Sequence, residues 1–242
     1  MSRHALAAGC AGLLLGILGC GGTSGTLQHP LTNQLDPGYD ALTIKTLAAL
    51  PFASDVAEDE DPDQIAAGML ESKFYPELNR SSGFTILPAS EVGRVIEEEG
   101  MSDRMRSFYR NWISDQQDTD EQFLRDVADR LEVHAIVVGA VDVWYQEPVD
   151  ITQEGKARTQ VGVLIGLFEG SSGKRLWLGR DENYKDAVRY PGPGQLSSSQ
   201  IERTRERTNV RTAGGVYAPP DYSEVVDLVV DALIEAFPPA SP

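Results

Sequence analysis

Cys20 is the residue whose surroundings point most directly to a chemical reaction. The residues before it carry one arginine, Arg3, and no acid, and they run through an apolar stretch that ends in Ile17-Leu18-Gly19-Cys20. A short basic start followed by an apolar stretch is typical of an export signal. The stretch is shorter than the roughly 20 apolar residues that a membrane-spanning helix needs. The Cys20 thiol therefore follows a segment that is typical of cleavage after export.

The sequence Ile17-Leu18-Gly19-Cys20 resembles a lipobox, the cleavage and lipidation signal of bacterial lipoproteins. The small Gly19 gives a peptidase access to the next bond, and the Cys20 thiol then takes up a diacylglycerol as a thioether. We predict a signal peptide over 1–19 and a lipid anchor on Cys20. An ordinary signal peptide with a chance cysteine, or an uncleaved anchor, are the alternatives. Aspartate after the lipidated cysteine commonly retains lipoproteins in the inner membrane of Gram-negative cells, and this chain has Gly21 at that position. In a Gram-negative source we therefore expect the protein to be anchored at the periplasmic face of the outer membrane.

Other residues that could do chemistry are sparse. His134 is the one histidine beyond residue 30, and a single histidine cannot form a metal site without carboxylate ligands. The acidic run over 58–63 lacks the alternation and central glycine of a calcium-binding loop. No serine-centred elbow, phosphate-binding glycine loop or paired-cysteine spacing is present in the sequence. We expect no enzymatic activity, metal or cofactor; an enzyme whose acids come from separate segments is the alternative.

Two groups of residues are candidates for binding a protein partner. Trp144 and Tyr145 follow an apolar run where a strand begins to alternate, so they could form an exposed aromatic contact. Arg203, Arg205 and Arg207 could form a basic patch, although glutamates are interleaved with them. A buried sheet position for the aromatic pair, and a solvated surface for the arginines, are the alternatives.

The charge of the chain excludes some partners. The formal net charge is −16, and removal of residues 1–19 leaves 20 basic and 37 acidic residues. A surface this acidic repels nucleic acid and anionic lipid head groups. Membrane attachment must therefore come from the lipid on Cys20.

The pattern of apolar residues predicts one domain over 42–238, after a flexible Gly-, Thr- and Pro-rich tether over 20–41. Strands are predicted over 44–52, 84–88, 134–145, 158–168 and 174–180. Helices are predicted over 65–78, 90–100 with Ser90 as the cap, 101–118, 119–131 with a Thr119–Gln122 capping box, and 221–237. A polar excursion falls at about 189–220. This order predicts an α/β (α+β) sandwich, one mixed β-sheet with helices packed on it.

Four motifs occur in a characteristic order behind the lipobox. They are Leu50-Pro51-Phe52, the Phe84–Pro88 strand, the helix-to-strand run from Val127 to Val141, and the hairpin residues Gly170–Trp177. Together they resemble the superfamily of periplasmic lipoproteins that includes the curli secretion protein CsgG and the penicillin-binding-protein activator LpoB. The chain departs from this pattern at His134-Ala135, where the family has Ala-Asp, and over 189–220.

The resemblance implies a non-enzymatic accessory or assembly factor that contacts protein partners of an envelope secretion, assembly or cell-wall machine. It also implies an alternative, a homo-oligomeric secretion-channel subunit of the curli type. The amphipathic hairpins that such a channel would insert into the membrane are not found in the sequence.

Overall fold

The computed structural model describes residues 31–41, 43–115, 119–150, 156–187, 212–213 and 216–240. The predicted signal peptide, its cleavage site at Gly19 and the lipidated Cys20 lie outside the described residues. The same holds for most of the polar excursion, including Arg203, Arg205 and Arg207.

A mixed β-sheet is the centre of the fold. Its strands are β1 (Thr32–Leu35), β2 (Thr46–Ala49), β3 (Ala53–Ser54), β4 (Thr85–Leu87), β5 (Ala135–Glu147), β7 (Arg158–Glu169) and β8 (Arg175–Asp186). They follow the path β1-β8-β7-β5-β2-β4, and β3 pairs with β5 beyond the end of β2. Pairing of β2 with β4 and β5 is parallel, whereas β5, β7 and β8 form an antiparallel meander. The predicted mixed sheet is confirmed.

Helices cover both faces of this sheet. The described residues form α1 (Ala66–Ser81), α2 (Ala89–Glu98), α3 (Ser102–Ser114), α4 (Glu121–Leu131) and α5 (Tyr222–Ala236). On one face α1 and α5 bury apolar side chains such as Phe74 and Val229, and on the other α2, α3 and α4 bury Trp112 and Leu124. The first half of β5 is therefore apolar on both faces, as a central strand requires. The α/β sandwich is confirmed.

Two helix caps are formed by residues other than the predicted ones. Helix α2 begins after Pro88, whose side chain makes no cap hydrogen bond, so Ser90 lies inside the first turn. In α4 the carboxylate of Asp120 accepts the Phe123 N–H at 2.9 Å, and Asp120 is therefore the N-cap in place of Thr119. Aspartate, like threonine, accepts a hydrogen bond from an exposed N-terminal amide, so the sequence pattern alone did not choose between these neighbouring residues.

The predicted tether is wrong at its C-terminal end. Thr32–Leu35 is an edge strand, β1, that pairs antiparallel with β8 from Thr32 opposite Arg180 to Leu35 opposite Trp177. The indole N–H of Trp177 donates to the Asn33 side chain at 2.7 Å, which fixes the register further. All four residues of β1 are exposed, so the strand lacks the apolar alternation from which a strand is predicted.

A smaller sheet lies at the end of β5. It contains β6 (Val149–Asp150), β9 (Thr212–Ala213) and β10 (Val216–Tyr217), with β10 between the other two. The chain of β5 therefore continues, after Pro148, into a second antiparallel pairing. Strands β9 and β10 lie within the part of the chain that was predicted only as an excursion.

Gly173 and Gly68 offer a matched test of the fold. A Cβ on Gly173, whose φ is +75°, would lie 2.3 Å from the Glu121 carbonyl oxygen, whereas a Cβ on Gly68 in α1 would meet nothing within 4 Å. We predict that Gly173→Ala lowers the free energy of unfolding by about 1–3 kcal/mol. Gly68→Ala should raise it by about 0.5–1 kcal/mol, because alanine favours a helix. Urea denaturation of both variants measures the two values; equal effects would contradict the tight approach of the β7–β8 turn to α4.

Candidate functional site

A half-open cleft of about 530 Å³ lies beside the end of β5. One wall is the acidic loop between β3 and α1, and the other wall is formed by Trp144, Tyr145 and Gln146 of β5 together with Tyr222 at the start of α5. The cleft thus joins three segments that are far apart in the sequence.

The position of the cleft follows from the pairing of β5. On its outer edge β5 pairs with β2 and then with β3, where Ala53 lies opposite Ala140 and Ser54 opposite Val141. The hydrogen bond from the Asp55 N–H to the Val141 carbonyl oxygen, at 3.0 Å, closes this pairing. From Asp142 onward, β7 is the one strand paired with β5 among the described residues. The chain after β3 leaves the sheet, and the cleft opens there.

A β-bulge at Asp142 separates the two parts of β5. Val141 lies opposite Val163 and Val143 opposite Gly162, so Asp142 is the extra residue. The Asp142 carboxylate accepts the Arg180 Nε–H at 2.8 Å, and this ion pair spans β5 and β8. A Cβ at Gly162 would lie 2.6 Å from Oδ1 of Asp142, so the glycine provides the space that the bulge occupies.

The bulge places Trp144 in the core. Its side chain is 1% exposed and belongs to the same apolar cluster as Val137 and Val141. The indole stacks on the ring of Tyr222 with centroids 3.9 Å apart and planes 6° from parallel. Burial of the Tyr222 ring, together with the nearby carboxylates of Asp61 and Glu60, raises the pKa of its hydroxyl to about 12. The phenol is thus neutral and can donate a hydrogen bond at any physiological pH.

The acidic loop is anchored by one of its own carboxylates. Asp61 is buried, and its two oxygens accept the N–H groups of Ile65 at 2.9 Å and Ala66 at 3.1 Å. It therefore satisfies the first amides of α1, which the N-cap Ile65 cannot do with its side chain. Asp59, Glu60 and Asp63 remain exposed on the rim of the cleft.

Two exposed apolar side chains complete the lining. Tyr145 is 40% exposed and Ile65 is 44% exposed, whereas most large apolar side chains of the described residues are buried. Gln146 is held in place, since its amide donates to the Thr159 hydroxyl at 3.1 Å and to the Pro220 carbonyl at 2.9 Å. The cleft therefore presents fixed apolar and polar groups below a carboxylate rim.

The structure separates the two aromatic residues that the sequence paired. Tyr145 is exposed, as expected, whereas Trp144 lines the cleft but is almost completely buried. Whether either residue binds a partner stays a prediction. The acidic loop and Tyr222 were missed as site residues, although the run of five acids over 58–63 was visible in the sequence.

His134 has a structural environment. Its Nδ1 lies 2.7 Å from the Thr46 hydroxyl, and its backbone N–H donates to the Thr46 carbonyl at 3.1 Å. These contacts join the start of β5 to β2 at the opposite end of the strand from the cleft. Within the described ranges, no group of three or more His, Cys, Asp and Glu side chains could hold a metal ion.

None of the helices in the described part of the chain combines the length and the apolar content needed to cross a membrane.

The chain matches no family model and no curated protein. Among solved structures it is similar to lipoprotein GNA1162 from Neisseria meningitidis, at 17% identity and a TM-score of 0.40, covering 67% of this chain and 99% of that one. It is similar to a PelC dodecamer from Paraburkholderia phytofirmans, at 14% identity and a TM-score of 0.36, covering 72% and 91%. The LpoB C-terminal domain from Salmonella enterica gives 10% identity and a TM-score of 0.31, covering 58% and 83%. At identities and TM-scores this low, these likenesses carry no inference about function.

Proposed function

We propose that this chain is a lipid-anchored, non-enzymatic binding protein of the bacterial envelope, which recognises a protein partner through the cleft beside β5. The observation that carries the proposal is the composition of that cleft. It combines an exposed aromatic ring on β5 with an exposed aliphatic side chain and a rim of carboxylates from the loop before α1. Apolar anchors surrounded by charged groups are typical of protein-binding surfaces.

The anchor is proposed from the sequence around Cys20, and β1 adds a geometric limit. Eleven residues, 21–31, separate Cys20 from Thr32, the first residue of β1. A chain of this length spans at most about 40 Å when it is fully extended. The lipid would therefore hold the folded domain within that distance of the membrane surface, where tethering raises the effective concentration for a partner in the same membrane.

The absence of catalysis is also part of the proposal. Cys10 belongs to the proposed signal peptide, and a lipidated Cys20 has no free thiol to act as a nucleophile. His134 is engaged by Thr46. An accessory role in envelope secretion, assembly or cell-wall synthesis requires only binding and position, which the cleft and the anchor would supply.

Replacement of Cys20 tests the anchor, with Cys10 as the matched control. We predict that Cys20→Ser releases the protein from the membrane fraction and that its intact mass lacks the added lipid. Cys10→Ser should remain in the membrane and carry the lipid, because this residue is not at the cleavage site. Cell fractionation and mass spectrometry measure both properties. A Cys20→Ser protein that stays membrane-bound with unchanged mass contradicts the anchor.

Photo-crosslinking in intact cells tests the recognition surface. A photoreactive amino acid at Tyr145 should capture a discrete envelope protein, because that side chain lies in the cleft. The control position is Leu228 on α5, whose side chain is 39% exposed and lies outside the cleft lining. We expect it to give no specific product. Equal products from both positions, or none from Tyr145, would contradict partner binding through the cleft.

A further inference from the structure

We propose that the partner segment is an extended, Lys- and Arg-rich peptide that binds as an additional strand along the free outer edge of β5. This inference rests on the proposed function and specifies the partner of the same cleft. The backbone of Trp144 and Gln146 would pair with the peptide backbone, and the acidic loop would pair with its basic side chains.

The backbone groups of β5 change direction at the bulge. The N–H and C=O of one residue point to the same side of a strand, and this side alternates along the chain. The backbone groups of Val141 point outward, since its carbonyl accepts the Asp55 N–H. The extra residue, Asp142, shifts the alternation by one. Beyond the bulge, the backbone N–H and C=O groups of Trp144 and Gln146 therefore point outward. Those of Tyr145 point to Gln160 of β7.

These outward groups form a short open edge. Across the described ranges, no strand pairs with β5 on this side after Val141, and no backbone hydrogen bond reaches the outer side of Trp144 or Gln146. A strand edge of this kind offers donors and acceptors at regular spacing to a peptide. The edge is short because β6 begins at Val149 and pairs with β10. It would fit a peptide segment of about three to five residues, at a rise of roughly 3.3 Å per residue.

Space for a further strand lies beside this edge. An added strand lies about 4.8 Å from its neighbour, and the cleft of about 530 Å³ occupies this position between β5 and the acidic loop. Tyr145 and Ile65 flank the space with exposed apolar surface. Alternate side chains of the peptide would contact these two residues or point to the rim.

The charge of the rim favours a basic peptide. Asp59, Glu60 and Asp63 are exposed there, and none of the described residues that line the cleft is a lysine or an arginine. The whole chain carries a formal charge of −16, so a basic segment is also attracted at longer range. An arginine beside Tyr145 or Tyr222 would gain a further cation–π contact. The same charges disfavour an acidic peptide or a nucleic acid.

The probe is a fluorescein-labelled peptide of alternating arginine and valine, and its binding to the full-length protein in detergent is measured by fluorescence anisotropy. Two further versions carry N-methyl groups on the backbone nitrogens of either the even or the odd residues. An added strand uses one set for pairing, so methylation of that set should weaken binding by about tenfold, because a paired N–H is lost. Methylation of the other set should have a small effect. A peptide with glutamate in place of arginine should not bind.

Two triple variants of the protein separate local from global charge. Asp59→Asn/Glu60→Gln/Asp63→Asn removes three charges from the rim, and Asp61 is retained because it supports α1. The control, Glu97→Gln/Asp129→Asn/Asp231→Asn, removes three exposed charges outside the cleft. We expect the rim variant to lose about tenfold in affinity and to show weaker salt dependence, and the control to change little.

Several results would overturn this inference. They are equal binding of both N-methylated peptides and the parent, equal loss in the two triple variants, or no binding of the basic peptide up to millimolar concentration. Self-association of the protein that competes with the peptide would overturn it too, since the edge would then belong to a second copy of the chain. If any of these results is found while the crosslink from Tyr145 persists, partner binding through the cleft is retained and binding of the peptide as an added strand is rejected. If no crosslink forms from Tyr145, both proposals are rejected.

Discussion

The backbone of β5 needs hydrogen-bond partners along both of its edges, and the fold is built around that need. A buried strand must satisfy its N–H and C=O groups, and β5 does so with β7 on one side and with β2 and β3 on the other as far as Val141. Helices then cover both faces of this first half. Among the described residues no outer partner follows Val141, and the strand continues along the cleft. The same strand is therefore both the centre of the core and the wall of the site.

The bulge at Asp142 determines which side chains of β5 are buried and which are exposed in that wall. It turns Trp144 toward α1 and α5, where the indole stacks on Tyr222, and it leaves Tyr145 exposed on the opposite face. The Asp142–Arg180 ion pair holds the bulge in place, and the absence of a side chain at Gly162 leaves the space that the bulge occupies. Because Trp144, Tyr145 and Gln146 lie on a strand that is packed into the core, and Asp61 fastens the acidic loop to the start of α1, both walls of the cleft are held in place without a partner. Preformed sites of this kind avoid the entropic cost of ordering on binding.

Much of the fold could be predicted from the sequence, because apolar periodicity reports directly on which faces are buried. The runs that became β5, β7 and α4 are clear examples. The strand β1 could not be predicted in this way, since Thr32–Leu35 is exposed and is held by pairing with β8 and by Asn33.

The cleft was harder to predict than the fold. Trp144 and Tyr145 looked equivalent in the sequence, yet their different burial depends on an extra residue, Asp142, and on Tyr222, which is 78 positions away along the chain. The cleft depends on the same long-range contacts. The sequence therefore indicated its acidic loop and its aromatic residues without bringing them together.

Amide hydrogen exchange along β5, followed residue by residue by NMR on the protein without a partner, is the sharpest test of the free edge. We predict rapid exchange at Trp144 and Gln146, whose N–H groups point to the cleft, and slow exchange at Tyr145, whose N–H points to β7. Slow exchange at Val137 and Val141 provides the internal reference, since these residues have strand partners on both sides. Equal protection of Trp144, Tyr145 and Gln146 would contradict a free edge, because it would mean that the outer side of β5 is already paired.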